Sequence, residues 1–124
     1  MKELADAAPK FEDLSPVFPV ADVTAALAFY RDRLGFDLGW IWGAPPTLAN
    51  ICRDAISISL TLKPGEAGTG EGYVGLRGID AYHAELRARG VAVGELDNRA
   101  YGMRDFDLLD VDGNRLVFGE ETAP

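Results

Sequence analysis

The chain holds one cysteine, Cys52, and one histidine, His83, among its 124 residues. A lone thiol closes no internal disulfide. Together with an N-terminus that lacks any apolar leader, this points to a cytoplasmic protein. No apolar run approaches the ~18 residues that a membrane-spanning helix needs. Basic residues are scarce: 12 Lys and Arg stand against 20 Asp and Glu, for a net charge of −8. Phosphate backbones are bound by basic faces, so the balance argues against nucleic acid and favours, if anything, a cationic small molecule. Gly65, Gly68, Gly70 and Gly72 lack a suitable following helix and a Lys-Ser/Thr pair, so they form no phosphate cradle.

What is present is a globular composition, with 48% hydrophobic and 26% charged residues. The length suits one domain with a real core. Residues 1–12 read as a polar arm broken by Pro9. Leu14 to Val20 reads as a strand, with Pro16 and Pro19 suited to an edge position. Asp22 is an N-cap for a helix from Val23 to Leu34, and Val23, Leu27, Tyr30 and Leu34 form one apolar stripe that Gly35 terminates. Phe36 to Trp42 reads as a strand with Phe36, Leu38, Trp40 and Trp42 on one side. Strands at 47–53 and 55–62 meet at a tight turn on Asp54. In the second of these, Ile56, Ile58, Leu60 and Leu62 offer one face to a helix, and Ser57, Ser59 and Thr61 line the other.

A glycine-rich linker follows, and the pattern repeats. Tyr73 to Arg77 reads as a strand, Asp80 as the cap of a helix from Ala81 to Arg89 closed by Gly90, and Val91 to Val93 as a short strand. Residues 95–102 read as a loop. Strands at 105–110 and 115–119 are joined through the Asp112-Gly113 step, a hairpin signal. The fold class is therefore α+β: a domain over 13–121 made of two βαβββ modules, about 13–62 and 72–119. The strands form a curved mixed sheet around a concave cavity, with the helices outside.

Trp40 and Trp42 on one strand, Asn50 and Cys52 on the next, and Ser57 and Ser59 on the third would share that cavity. Its walls would be apolar with a few hydroxyl and amide groups, as ligand sites are. Indoles suit flat heteroaromatic or cationic ligands. None of these side chains is an acid, base or nucleophile with a partner, so no catalytic residue is assigned. Cys52 reads as an inert strand residue, and His83 as a helix-flank residue.

Pro19-Val20-Ala21-Asp22-Val23, followed by Ala28-Phe29-Tyr30-Arg31-Asp32 and Leu34-Gly35-Phe36, resembles the opening signature of the glyoxalase/bleomycin-resistance (vicinal oxygen chelate) superfamily. Tyr101 to Phe106 and Asp110 to Glu120 resemble its closing segment. The resemblance implies metal donors near Ser15, at Gly72 or Tyr73, and near Val117. None of these is a His or a carboxylate, so neither metal nor cofactor is expected. It further implies that Tyr101 and Arg104 lie near the cleft, and that the chain belongs with the metal-free, bleomycin-resistance-like branch. There a homodimer encloses a cleft that sequesters an aromatic ligand. Two other readings stand beside this one: a divergent lyase, isomerase, transferase or dioxygenase of the same superfamily, and a ligand-free regulatory domain.

Overall fold

The structure is a computed structural model that describes residues 8–123; seven residues of the expected arm lie outside the described range. The first helix, α1 (Val23–Asp32), begins where the sequence indicates. The Asp22 carboxylate accepts the Ala25 N–H at 3.0 Å, which satisfies one of the helix's orphan donors. Val23, Leu27, Tyr30 and Leu34 are all buried. Gly35, at φ 78°, takes the left-handed turn that ends the helix.

The architecture is α+β with two repeated βαβββ units, and the strands fall into two four-stranded mixed sheets. The first module comprises β1 (Val17–Val20), α1, β2 (Asp37–Trp42), β3 (Leu48–Arg53) and β4 (Ile56–Leu62), with strand order β1-β4-β3-β2. The second comprises β5 (Glu71–Gly75), α2 (Ile79–Ala88), β6 (Asp97–Asn98), β7 (Met103–Leu109) and β8 (Arg115–Glu121), with order β5-β8-β7-β6. In each sheet the first strand pairs in parallel with the last, and the remaining pairs are antiparallel.

Several expected boundaries move. The strand expected over 14–20 starts only at Val17, and the one expected over 73–77 runs Glu71–Gly75. Val91 to Val93 forms no strand, and the short second strand of the module is Asp97–Asn98, inside the expected loop. Asp80 is not a cap. Gly78 occupies the N-cap with φ 84°, and Glu120 reaches across from β8 to accept the Gly78 and Ile79 N–H groups at 2.8 and 2.9 Å. The missing local cap is supplied from a distant strand.

Both modules turn their helix-bearing faces into one core. Phe18, Leu27, Tyr30, Ile51, Ile58 and Leu60 come from the first module, and Ile79, Leu86, Phe106, Leu116 and Phe118 from the second. Each such side chain contributes roughly 1.5–3 kcal/mol on full burial. The modules are related by an approximate twofold. At the helix ends the Arg33 guanidinium donates to the Arg89 carbonyl, and Arg89 donates back to the Arg33 carbonyl.

Along one seam between the modules, the β7–β8 hairpin docks on the β1–α1 junction through buried polar groups. Asn114 donates to the Pro19 carbonyl and to Asp110, each at 2.9 Å, and accepts the Gly70 N–H at 2.7 Å. The Tyr30 hydroxyl donates to Asp110 at 2.8 Å. Gly70 lies so close to Phe18 and Asn114 that a methyl group there would collide with both.

Asn114 is fully buried, so its loss strands several desolvated partners at once. Asn114→Ala is expected to lower the free energy of unfolding by about 2–4 kcal/mol, since each orphaned buried group costs roughly 1–3 kcal/mol. Urea denaturation checks this, and a loss below about 1 kcal/mol would contradict a seam held by these bonds.

Candidate functional site

Strand register decides which side chains share a face, because directly opposed residues point the same way. Ile51 pairs with Ile58 and Ala49 with Leu60, and all four are buried beneath α1. Asn50 pairs with Ser59 and Cys52 with Ser57, so these four lie on the opposite, helix-free face. Trp40 pairs with Asn50, and Trp42 with Leu48. The structure therefore brings together Trp40, Trp42, Asn50, Cys52, Ser57 and Ser59. Ser15 joins them, accepting from the Ser57 hydroxyl at 3.1 Å.

The expected strand alternation does not survive. A register shift between Leu38 and Trp40 places Gly39 in a bulge. Leu38 then opposes buried Ile51 on the helix side, and Phe36 is buried in the core, while Trp40 and Trp42 turn the other way. The bulge needs glycine: the Asn50 side chain lies over Gly39, and a methyl there would overlap its amide oxygen. Trp40 is 51% and Trp42 66% exposed, which makes this face an open wall rather than a closed cavity.

Tyr101 and Arg104 belong to the second module and part company. Arg104 opposes Glu120 on the helix side and pairs with Asp80 of α2 at 2.9 Å, so it lies away from the helix-free face. Tyr101 stays on that face, where its hydroxyl donates to Asp105. Tyr73 donates to the same carboxylate oxygen at 3.1 Å, and Arg99 Nε donates to the other oxygen at 2.8 Å. A cavity of about 370 Å³ lies over these groups, with Asp107 and Arg115 at its edge. Gly119 lets Tyr73 lie flat across β8, since any side chain there would strike the hydroxyl.

Asp105, Arg99, Asp107 and Arg115 are absent from the site expected from sequence, and Tyr73 enters that expectation only as a position that lacks a metal donor. The signal lies in β7, where Asp105 and Asp107 alternate with core residues Phe106 and Leu108. Burial alone would raise the Asp105 carboxyl, which is only 3% exposed. Hydrogen bonds from Tyr101, Arg99 and Tyr73 outweigh burial and hold it below the usual carboxylate range. Tyr73 is pushed up to about 12 by desolvation and by the carboxylate it serves. Both phenol protons are committed to Asp105, so the phenol oxygens present acceptors to the cavity.

The positions where the superfamily resemblance implies metal donors carry Ser15, Tyr73 and Val117, with Tyr73 and Val117 directly opposed across β5 and β8. Without an imidazole or carboxylate, this set does not fit a divalent metal. Among the described residues no three His, Cys, Asp or Glu side chains gather as metal ligands. His83 meets the Gly94 carbonyl at 3.1 Å and packs edge-on against Phe106, a structural position.

A family model described as glyoxalase superfamily protein matches residues 4–123. The chain belongs to the glyoxalase superfamily. Three solved structures share its fold over nearly their full length. The bleomycin-binding protein of Streptomyces verticillus, complexed with copper(II)-bleomycin, is 26% identical, with 94% of this chain and 98% of that one covered and a TM-score of 0.77. TnmS3, an antibiotic-binding protein from Streptomyces sp. CB03234, is 25% identical over 92% of this chain and 100% of its own, with a TM-score of 0.74. A glyoxalase/bleomycin resistance protein from Catenulispora acidiphila DSM 44928 is 28% identical over 92% and 100%, with a TM-score of 0.75. No curated protein matches the chain.

The low-lying Asp105 makes a prediction about acid. A carboxyl depressed on folding stabilises the native state above its unfolded value of ~3.9, and that contribution disappears as pH falls through the folded value. Stability should therefore drop as pH is lowered from about 4, and Asp105→Asn should show a shallower drop over the same interval. Urea midpoints between pH 5 and 2.5 measure both; parallel curves would contradict a carboxylate held ionised by its three donors.

Proposed function

We propose that this protein is a metal-independent small-molecule binding protein of the bleomycin-resistance type. It holds a flat aromatic ligand, cationic in keeping with the acidic chain, in a cleft completed by a second copy. The observation that carries the reading is the helix-free face of the first module. It sets two exposed indoles beside Asn50, Cys52, Ser57 and Ser59, with no acid, base or nucleophile paired for turnover among the described residues. The S. verticillus and Streptomyces sp. CB03234 relatives, named for binding bleomycin and an antibiotic, support this choice of ligand class.

Exposure supports the second copy. On the helix-free faces of the two sheets Val17, Trp40, Trp42, Tyr73 and Tyr101 all stand at least 50% exposed. Exposed apolar surface of this kind marks an interface or ligand site. Within one chain, the indole wall and the Asp105 wall belong to separate sheets. Pairing the first module of one copy with the second module of another would set an aromatic wall against a polar one. Tyr101 stays in the proposed site, and Arg104 serves α2 instead.

Titration of chelator-treated protein with metal-free bleomycin should quench tryptophan fluorescence and saturate. Trp42→Ala should weaken binding by ~1–3 kcal/mol, the range for a lost stacking partner, with the unfolding midpoint nearly unchanged because Trp42 is 66% exposed. Light scattering should give twice the 13.4 kDa chain mass. Binding that requires a divalent metal, or a chain that stays monomeric when saturated with ligand, would defeat the reading.

A further inference from the structure

The approximate twofold means that the molecule has two equivalent seams, and they are filled differently. Position for position along the two modules, Asp22 answers to Gly78, Ala21 to Arg77 and Phe18 to Val74. In the first seam the Phe18 ring is fully buried against Gly70 and Gly72. The long β7–β8 hairpin closes over it, and the Asp112 carboxylate accepts the Ala21 N–H at 3.0 Å. That seam is plugged by an aromatic ring and a carboxylate, both supplied by the chain.

In the second seam, among the described residues, no ring takes the Phe18 position and no carboxylate reaches the Arg77 N–H: Glu120 caps the neighbouring Gly78 and Ile79 N–H groups instead, and Asp54 lines the cavity. Val74 replaces the ring, and the β3–β4 connection is a tight turn at Asp54 and Ala55, too short to reach across. What remains is a cavity of about 540 Å³, walled by Phe36, Ile56, Val74, Leu76, Tyr82 and Phe118. This volume falls in the range of small-molecule sites. Arg77, the counterpart of Ala21, lines the cavity, and neither its N–H nor its guanidinium has a partner among the described residues. Arg53 also lines it, lying over the Tyr82 ring at 5.1 Å and using Nη1 on the Leu34 carbonyl. Of the acids at the rim, Glu85 is tied to Arg89 at 3.3 Å.

We propose that this cavity is a second ligand site, separate from the helix-free faces, for a small carboxylate with an apolar or aromatic body. The filled seam is the template: the ligand's body takes the place of Phe18, and its carboxylate takes the place of Asp112, meeting the Arg77 N–H and guanidinium with Arg53 nearby. A planar guanidinium and a backbone donor together favour a carboxylate over a neutral head group.

The test uses the full chain, ¹⁵N-labelled, with 1-naphthaleneacetate as probe and 1-naphthaleneacetamide as its uncharged match. The carboxylate should shift the amides of Val74 to Gly78 and of Ala81 in a saturable way. The amide should bind at least tenfold more weakly. Arg77→Gln should weaken the carboxylate about fivefold or more, and Ala81→Trp, which fills the cavity from an exposed helix position, should abolish binding. Should Ala81→Trp fail to give a dispersed spectrum, Arg77→Gln and the probe pair decide alone. Equal affinity for acid and amide, shifts confined to Leu38–Asn50, or full binding by a folded Ala81→Trp chain would each overturn the proposal. None of these readouts depends on whether bleomycin binds.

Discussion

Asn114 ties both modules and the linker together through hydrogen bonds from a single side chain. A buried amide has two donors and an acceptor to satisfy, and here they go to Pro19 of β1, to Asp110 of its own hairpin and to Gly70 of the linker. Asp110, itself only 6% exposed, is held by that amide and by the Tyr30 hydroxyl from α1. An apolar contact could slide, whereas these bonds have one geometry. They set how the second module sits on the first, and so which faces of the two sheets enter the core and which stay outside.

The outer faces then acquire opposite chemistry. The first carries indoles, hydroxyls and an amide and no charge beyond its rim. The second carries Glu71, Asp105 and Asp107 against Arg99 and Arg115, cross-linked through Arg115 to Glu71 and Asp107. A duplicated fold with two similar faces would favour a symmetrical ligand. In the two-copy cleft proposed above, such unlike faces would favour a ligand that is flat on one side and rich in hydrogen-bond donors on the other, because the Tyr73 and Tyr101 oxygens can only accept.

How much of this is legible in the sequence depends on how local the deciding interaction is. The first helix is readable because Asp22, the apolar stripe and Gly35 act within a few residues of one another. The face of β4 is readable because Ser57, Ser59 and Thr61 alternate without interruption. The turn of Trp40 and Trp42 away from Leu38 is not, since it hangs on the bulge at Gly39, which becomes visible only when β3 lies alongside. The start of α2 escapes the sequence for a related reason: Asp80 has the composition of a cap, yet Glu120, far along the chain, does the capping and leaves Asp80 to pair with Arg104. Resemblance draws Arg104 toward the cleft, and that pair holds it away. The Asp105 cluster is hidden because its members come from β5, the loop after β6, and β7.

The same cluster bears on whether the site turns anything over. A general base must be free to take a proton near the working pH, and a general acid free to release one. Asp105 is the best-placed carboxylate on the second module's outer face, and three donors already occupy it and hold it ionised. Tyr73, pushed up to about 12, keeps its proton. Around neutral pH neither group changes state, so the face keeps a constant pattern of acceptors. On the first module's outer face the hydroxyls of Ser15 and Ser57 bond to each other, and among the described residues no imidazole or lysine stands beside them to activate a nucleophile. A surface whose protons are committed is suited to recognising a ligand's shape and donors, and poorly suited to moving its atoms. These committed protons support the binding-protein reading proposed above.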